Sequence, residues 1–294
     1  MNTPISQIYR VVVPKFIWKK FLAKKLPISI LKYYAGLPDT PSEEIESVLK
    51  YLRTNPIAVY PYDYQNQYIA EDIEVFDDHD KGLRYVLLDG KRLYFKKRWS
   101  RQKIRKLYNL LSKEQDIRSP HRYLTSQFKF DDGEVLIDVG AAEGNFALSI
   151  VEKASRLILF ETDKEWIEPL NATFEPWKNK VMIVNKFVSD VTNSRNTKLD
   201  DFISIEEAGI FLKIDIEGGE SRLLQGCKRI LKDQKPLKIA ICTYHKQGDE
   251  KEFLSLFTQN GFKTSHSDGY MLFYYDKKIT APYFRRGLIR AERK

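Results

Sequence analysis

Three acidic clusters, two of them with glycines, offer chemistry. The first is Val135-Leu-Ile-Asp-Val-Gly-Ala-Ala-Glu-Gly-Asn-Phe146, an apolar run that enters a turn of small residues and then a helix. Gly140, Ala141, Ala142 and Gly144 let the backbone approach a ligand closely, and the amides of the turn, with Asn145 just beyond it, can hold a carboxylate. Asp138 and Glu143 flank this turn. Acids there repel a pyrophosphate and welcome an ammonium, and the pattern is not the GxGxxG of a nicotinamide site. The second cluster is Leu157-Ile-Leu-Phe-Glu161-Thr162. Glu161 follows the glycine turn by about twenty residues, where an acid at a strand end takes the two hydroxyls of a ribose. The third is Phe211-Leu-Lys-Ile-Asp-Ile-Glu-Gly-Gly-Glu220. It carries Asp215 and Glu217 to the carboxyl end of a strand, the edge at which open α/β sheets bind ligands. Asp215 is expected at the cofactor, where it orients or deprotonates a hydroxyl. Glu217 and Glu220 are expected to bind sugar hydroxyls or to cap the helix.

Further polar positions surround these clusters. Ser189 and Asp190 follow the third strand and are read as adenine contacts or as a solvated turn. Cys242-Thr-Tyr-His245 ends the fifth strand, so Tyr244 and His245 reach the same edge. His245 is a candidate general base because an imidazole titrates near neutrality, and His121, ahead of the first strand, is a second candidate. Either can instead be a satisfied structural histidine. Arg122, Tyr123, Tyr244 and Arg285 are expected to meet the substrate, and Arg122, Arg222, Arg285 and Arg286 are read as groups for a substrate phosphate. Asp215, Glu217 and His245 match no known metal spacing, so no metal is expected.

These residues need elements to position them. Strands are expected at Val135–Val139, Arg156–Phe160, Val181–Asn185, Ile210–Ile214 and Leu237–Cys242, alternating with helices near 144–153, 164–175, 219–232 and 249–260. That alternation implies a parallel sheet covered on both faces. A hairpin of 262–265 and 270–275 around Ser267-Asp268-Gly269 is expected to end it, giving a Rossmann-like sheet of seven strands with an antiparallel finish. Ahead of this domain, taken as residues 118–294, residues 1–117 read as an α+β extension. It has helices at 42–52, with Thr40 as cap, and 100–114. Strand-like runs lie at 73–76, 83–88 and 92–95, with Asp89-Gly90 as a hairpin turn.

Bulk properties bound the class. The chain has 294 residues with 43% hydrophobic and 30% charged content, enough to bury a core. Its net charge of +9 favours acidic partners without choosing one. Two cysteines, Cys227 and Cys242, sit in apolar runs and read as reduced residues of a cytoplasmic protein. No run is long and apolar enough to span a membrane, and lysines interrupt the apolar stretches near the start where a signal peptide would lie. Residues 1–35 interleave Ile8, Val12, Phe16, Trp18 and Phe21 with Arg10, Lys15, Lys19, Lys20 and Lys24. Such a segment can lie on the inner face of an anionic membrane, or pack on the protein with solvated lysines.

In this order and spacing, IDVGAAEG, the strand-end Phe160-Glu161, Thr197-Lys-Leu-Asp-Asp-Phe202 and LKIDIEGGE resemble the FkbM family of S-adenosylmethionine-dependent methyltransferases, over about residues 118–275. The resemblance implies S-adenosylmethionine as cofactor and methyl transfer to oxygen, commonly on sugar hydroxyls. The acceptor expected is therefore a bacterial glycan or polysaccharide precursor, in one form linked to a lipid diphosphate. An N-methyltransferase of RNA or protein and a non-catalytic binder are the alternatives. No nucleic-acid-binding module is recognisable, so no nucleic-acid partner is expected, and the intact acidic clusters argue against the binder.

Overall fold

The computed structural model describes residues 15–203, 209–276 and 278–294, with residues 15–24 as backbone only. Residues 1–14 and the side chains of 15–24, on which the expectation of membrane contact rests, lie outside this description.

The extension comprises α1 (Lys15–Ala35), α2 (Glu43–Thr54), an antiparallel sheet of β1 (Phe76–Asp78), β2 (Leu83–Leu88) and β3 (Lys91–Phe95), and α3 (Arg101–Glu114). Helix α2 is capped by Ser42, whose hydroxyl accepts from Ile45 N, and not by Thr40 as expected. Its acidic first turn complements the helix dipole. The first strand starts later than the sequence pattern suggests, and the carbonyls of Ile73 and Val75 ahead of it accept from Arg105 and Arg101. Asp89 and Gly90 close β2 onto β3 as a two-residue turn, both with positive φ (49° and 76°), the conformation that matches strand twist.

The domain that follows contains β4 (Val135–Val139), α4 (Asn145–Ser149), β5 (Arg156–Phe160), α5 (Ile167–Phe174), β6 (Val181–Val184), β7 (Phe187–Val188), β8 (Asn196–Thr197), α6 (Leu199–Phe202), β9 (Ile210–Ile214), α7 (Glu220–Gln225), α8 (Lys228–Lys232), β10 (Leu237–Cys242), α9 (Asp249–Gln259), β11 (Lys263–His266) and β12 (Leu288–Arg293). Seven strands form one sheet in the order β11-β12-β10-β9-β4-β5-β6. Its neighbours are parallel except at β12, which runs antiparallel to both β10 and β11. This is the expected Rossmann-like sheet with an antiparallel finish, but the strand that completes it is Leu288–Arg293, not 270–275. Residues 267–287 instead form a long connection, tied down by a bridge between Met271 and Arg285. Chain order reverses between β4 and β9, so the switch point at which such sheets bind ligands lies where Val139 pairs with Ile214.

Strands β4, β9 and β10 are buried at every position, as parallel strands covered on both faces must be. One face packs Val86, Leu93, Phe95 and Ile104 of the extension against Leu136, Leu157 and Phe211. Leu93, Phe95 and Ile104 are completely buried, worth about 1.5–3 kcal/mol each, so the extension shares its core with the sheet. The other face carries the helices from α6 to α9. The single helix expected at 219–232 is broken at Gly226-Cys227, and a Cβ on Gly226 would collide with the Ser189 carbonyl. Leu26, Ile30 and Tyr34 of α1 pack with α2 against Leu272 and Phe284.

Candidate active site

At the end of β4 the chain turns sharply. Gly140 has φ of 83°, and a Cβ there would collide with the Asp215 carbonyl, so the two loops at the switch point can touch only through glycine. Gly140 N and Ala141 N both donate to Phe160 O (3.0 and 3.1 Å). Ala142 holds a φ of 47°, and its amide donates to Glu161 Oε2 at 2.8 Å, while Asp163 N donates to Oε1 at 2.7 Å. Glu161 thus ties the turn to the second strand and keeps one lone pair on each oxygen. Thr162 is exposed, and its carbonyl accepts from Asn185 Nδ2. Asn145 does not point its amide oxygen at the turn's ligand side, because Oδ1 accepts from Phe146 N.

The turn lies over buried charge. Asp138 pairs in register with Lys213 across β4 and β9, and Lys213 Nζ lies 2.9 Å from Asp138 Oδ1 while donating to Gly140 O at 2.7 Å. Lys213 is thus the charge partner of Oδ1, while Oδ2 of Asp138 has no hydrogen-bond partner among the described residues. Burial raises the Asp138 pKa against the pull of Lys213. Glu143, also buried, is pushed up to about 8 by its burial. Lys213 was not singled out from the sequence. Its signal is a lone cation inside an otherwise apolar strand.

Asp215 stands at the end of β9 with aromatic donors around it. Tyr123 OH donates to its Oδ2 at 3.0 Å and Tyr244 OH to its Oδ1 at 3.4 Å. His121 Nε2 lies 3.6 Å from Oδ2, and His245 Nε2 lies 3.6 Å from Oδ1. Burial opposes the charge of Asp215, but the contacts of His121, Lys213 and His245 prevail and hold its carboxyl well below the usual range. His121 is buried, with Nδ1 unpartnered among the described residues. It and Tyr123 belong to a strap, residues 119–124, which Arg290 holds through the carbonyls of Arg122 and Tyr123.

Glu220 differs from its expected role. It is buried, and its Oε1 accepts from Ile216 N, from Gly218 N and, at 2.7 Å, from His245 Nδ1. It therefore closes the IEGG loop and orients His245 instead of facing a sugar. Burial resists the charge of Glu220, but the His245 contact outweighs it and lowers the pKa, so Glu220 is an acceptor only and Nδ1 carries the proton. Burial likewise disfavours the imidazolium of His245, yet the Glu220 hydrogen bond and the Asp215 charge leave its pKa raised. Glu217 is exposed, in the left-handed region at φ of 53°.

Other expected contacts are committed elsewhere. Arg285 is buried, with Nη1 on the carbonyls of Tyr244 and His245 and Nη2 on Asp276; it positions the histidine and does not face a substrate. Arg286 is paired with Glu44, and Arg222 with Asp190, so neither guanidinium stands ready for a phosphate, and Asp190 is partly occupied. Ser189 is buried, its Oγ near Val191 and Asn196. Two trios, His121–Asp215–Cys242 and Asp215–Glu220–His245, place ligand atoms within 4.8 Å of one another, but the 2.7 Å hydrogen bond uses His245 Nδ1 in the second.

A mostly parallel seven-stranded sheet with glycines and acids converging on its switch point defines an S-adenosylmethionine-dependent methyltransferase. Residues 137–264 match the family described as the Methyltransferase FkbM domain. No curated protein matches the chain. Among solved structures, precorrin-6y C5,15-methyltransferase of Geobacter metallireducens is 15% identical, aligning 57% of this chain with 85% of its own at a TM-score of 0.39. A SAM dependent methyltransferase of Aquifex aeolicus is 13% identical over 66% of this chain and 98% of its own, also at 0.39. Trm5b of Pyrococcus abyssi is 14% identical over 71% and 55%, again at 0.39.

The residues present fit the cofactor. Asp138, whose Oδ2 has no hydrogen-bond partner among the described residues, and Glu143, held neutral by burial, are acids that a ligand's ammonium would satisfy. Glu161 retains lone pairs for ribose hydroxyls. Among the described residues no helix is long and apolar enough to cross a membrane.

Proposed function

We propose that the protein methylates oxygen, and that its acceptor is a sugar hydroxyl of a glycan or polysaccharide precursor in the cytoplasm. The observation that carries this reading is the line Glu220–His245–Asp215. Glu220 fixes the proton on Nδ1 of His245, which leaves Nε2 as the basic nitrogen, 3.6 Å from Asp215 Oδ1. An alcohol must lose its proton as it is methylated, whereas a neutral amine attacks through its own lone pair. A base with a fixed tautomer therefore suits a hydroxyl.

When bound, S-adenosylmethionine supplies a methyl group on a cationic sulfur that leaves readily. Asp138 and Glu143 would hold its ammonium, and Glu161 its ribose. Asp215, kept ionised by its neighbours, is a poor proton acceptor but a good anchor for the acceptor's O–H. His245 Nε2 takes the proton, and Glu220 stabilises the imidazolium that results. Tyr123 and Tyr244 hold Asp215 in place by donating to its two oxygens.

Incubation of the full chain with methyl-labelled S-adenosylmethionine and separate glycan, RNA and protein fractions tests the reading. Label is expected in the glycan, recovered after hydrolysis as a methyl ether of one sugar. Label confined to RNA or protein would replace it with the N-methylation alternative.

A further inference from the structure

A cleft of about 370 Å³, open to solvent, separates the β2–β3 turn and α3 from the strap and α4. Within the range usual for small-molecule sites, it belongs to none of the reaction chemistry above. The strap explains why. Arg122 and Leu124 line the cleft, while the alternate residues His121 and Tyr123 reach Asp215 on the other side.

The hydrogen-bonding capacity of the lining specifies a ligand. Gln115 Oε1 accepts from Tyr123 N, and Asn145 Oδ1 accepts from Phe146 N. These backbone donors fix both amide orientations, which leaves Gln115 Nε2 and Asn145 Nδ2 as donors without a partner among the described residues. Arg122 donates through Nε to Leu124 O and through Nη1 to Gln115 O, so Nη2 is likewise left over. The hydroxyls do the reverse. Tyr108, Ser112 and Ser149 give their protons to the carbonyls of Leu87, Tyr108 and Phe146, and retain only lone pairs. The cleft thus offers unspent N–H donors beside hydroxyl acceptors, with Tyr108 and Phe146 also in its lining. A molecule of many hydroxyls, each donating and accepting, matches that set. The exposed Asp89 at the rim balances the charge of Arg122, which favours a neutral ligand over an anionic one.

We infer that this cleft is a binding site for a neutral saccharide, separate from the reaction site. Its existence does not depend on the identity of the methyl acceptor. Calorimetric titration of the full chain with methyl β-lactoside, and with galactose 1-phosphate as the anionic comparison, tests it. The neutral disaccharide is expected to bind at millimolar concentration or tighter, and the phosphate more weakly. Ser112→Trp, which fills the cleft, is expected to weaken the disaccharide at least about tenfold and leave S-adenosylmethionine affinity unchanged. Should the larger side chain unfold the protein, Gln115→Glu removes a donor while keeping the acceptor and is expected to weaken binding in the same direction. Asp215→Asn is expected to leave saccharide binding intact. No saturable binding by the folded chain up to about 50 mM, tighter binding of the phosphate, or loss in Asp215→Asn with retention in the cleft variants would overturn the assignment.

Discussion

Replacing Glu220 with Gln tests the acid–base reading with little change of shape. Gln Oε1 can still accept from His245 Nδ1, Ile216 N and Gly218 N, the three donors that Glu220 serves. What is lost is the negative charge behind the imidazole. A hydrogen bond to a charged group contributes about 1.5–3 kcal/mol, and each 1.4 kcal/mol is about tenfold in rate, so maximal turnover should fall about 10- to 100-fold. The pH profile should move as well. Glu220 is among the groups that raise the His245 pKa, so its neutralisation lowers that pKa against the remaining burial. Because the base must be unprotonated, turnover in the native chain rises as pH passes through the raised pKa, and in E220Q this rise should come at lower pH. The assay is initial methyl transfer against pH, with S-adenosylmethionine affinity measured in parallel and expected to be unchanged. An unmoved pH limb with an unchanged plateau would refute the role given to His245.

Glu143 carries a stability signature. Its pKa rises from 4.5 to about 8 on folding, which at about 1.4 kcal/mol per unit is up to about 5 kcal/mol. The folded state binds this proton more tightly, so the contribution is present below pH 4.5 and is lost as pH rises to about 8. Glu143→Gln should therefore resist urea better than the native chain at pH 9, a gain that shrinks towards pH 5, and should bind S-adenosylmethionine more weakly. Lys213→Met strands Asp138 as a buried charge and should destabilise by about 3–5 kcal/mol in urea unfolding, with much of the loss recovered in the double variant with Asp138→Asn. Removal of residues 1–24 is expected to abolish sedimentation with anionic vesicles while sparing Leu26, Ile30 and Tyr34, which pack in the core. Unchanged sedimentation would end the membrane reading.

The sheet was legible because its strands are short apolar runs set between helical periodicities, and the switch point because Gly140 and Asp215 both lie just past strand ends. The last strand was not. Tyr270–Tyr275 is as rich in aromatics as a strand, but it spends those rings on packing against Tyr62, Tyr244 and the extension, and Leu288–Arg293 takes the place beside β10. Chemistry at the site was legible by residue type and less so by role. Glu220 reads from the sequence as a sugar ligand or cap, and only the fold brings His245 to its Oε1. Arg285 and Arg286 read as phosphate-binding groups, and only the long connection shows them tied to Asp276 and Glu44. Contacts between residues far apart in the chain leave no local pattern, so charge and type alone could not distribute these roles.

Titration of the full chain with S-adenosylmethionine by calorimetry, beside Gly140→Ala, tests the site most directly. Micromolar binding to the native chain is expected and none to the variant, whose added Cβ would meet the Asp215 carbonyl and force the turn open. A folded native chain that binds no S-adenosylmethionine, or a Gly140→Ala chain that binds it equally well, would mean that this turn does not hold the cofactor.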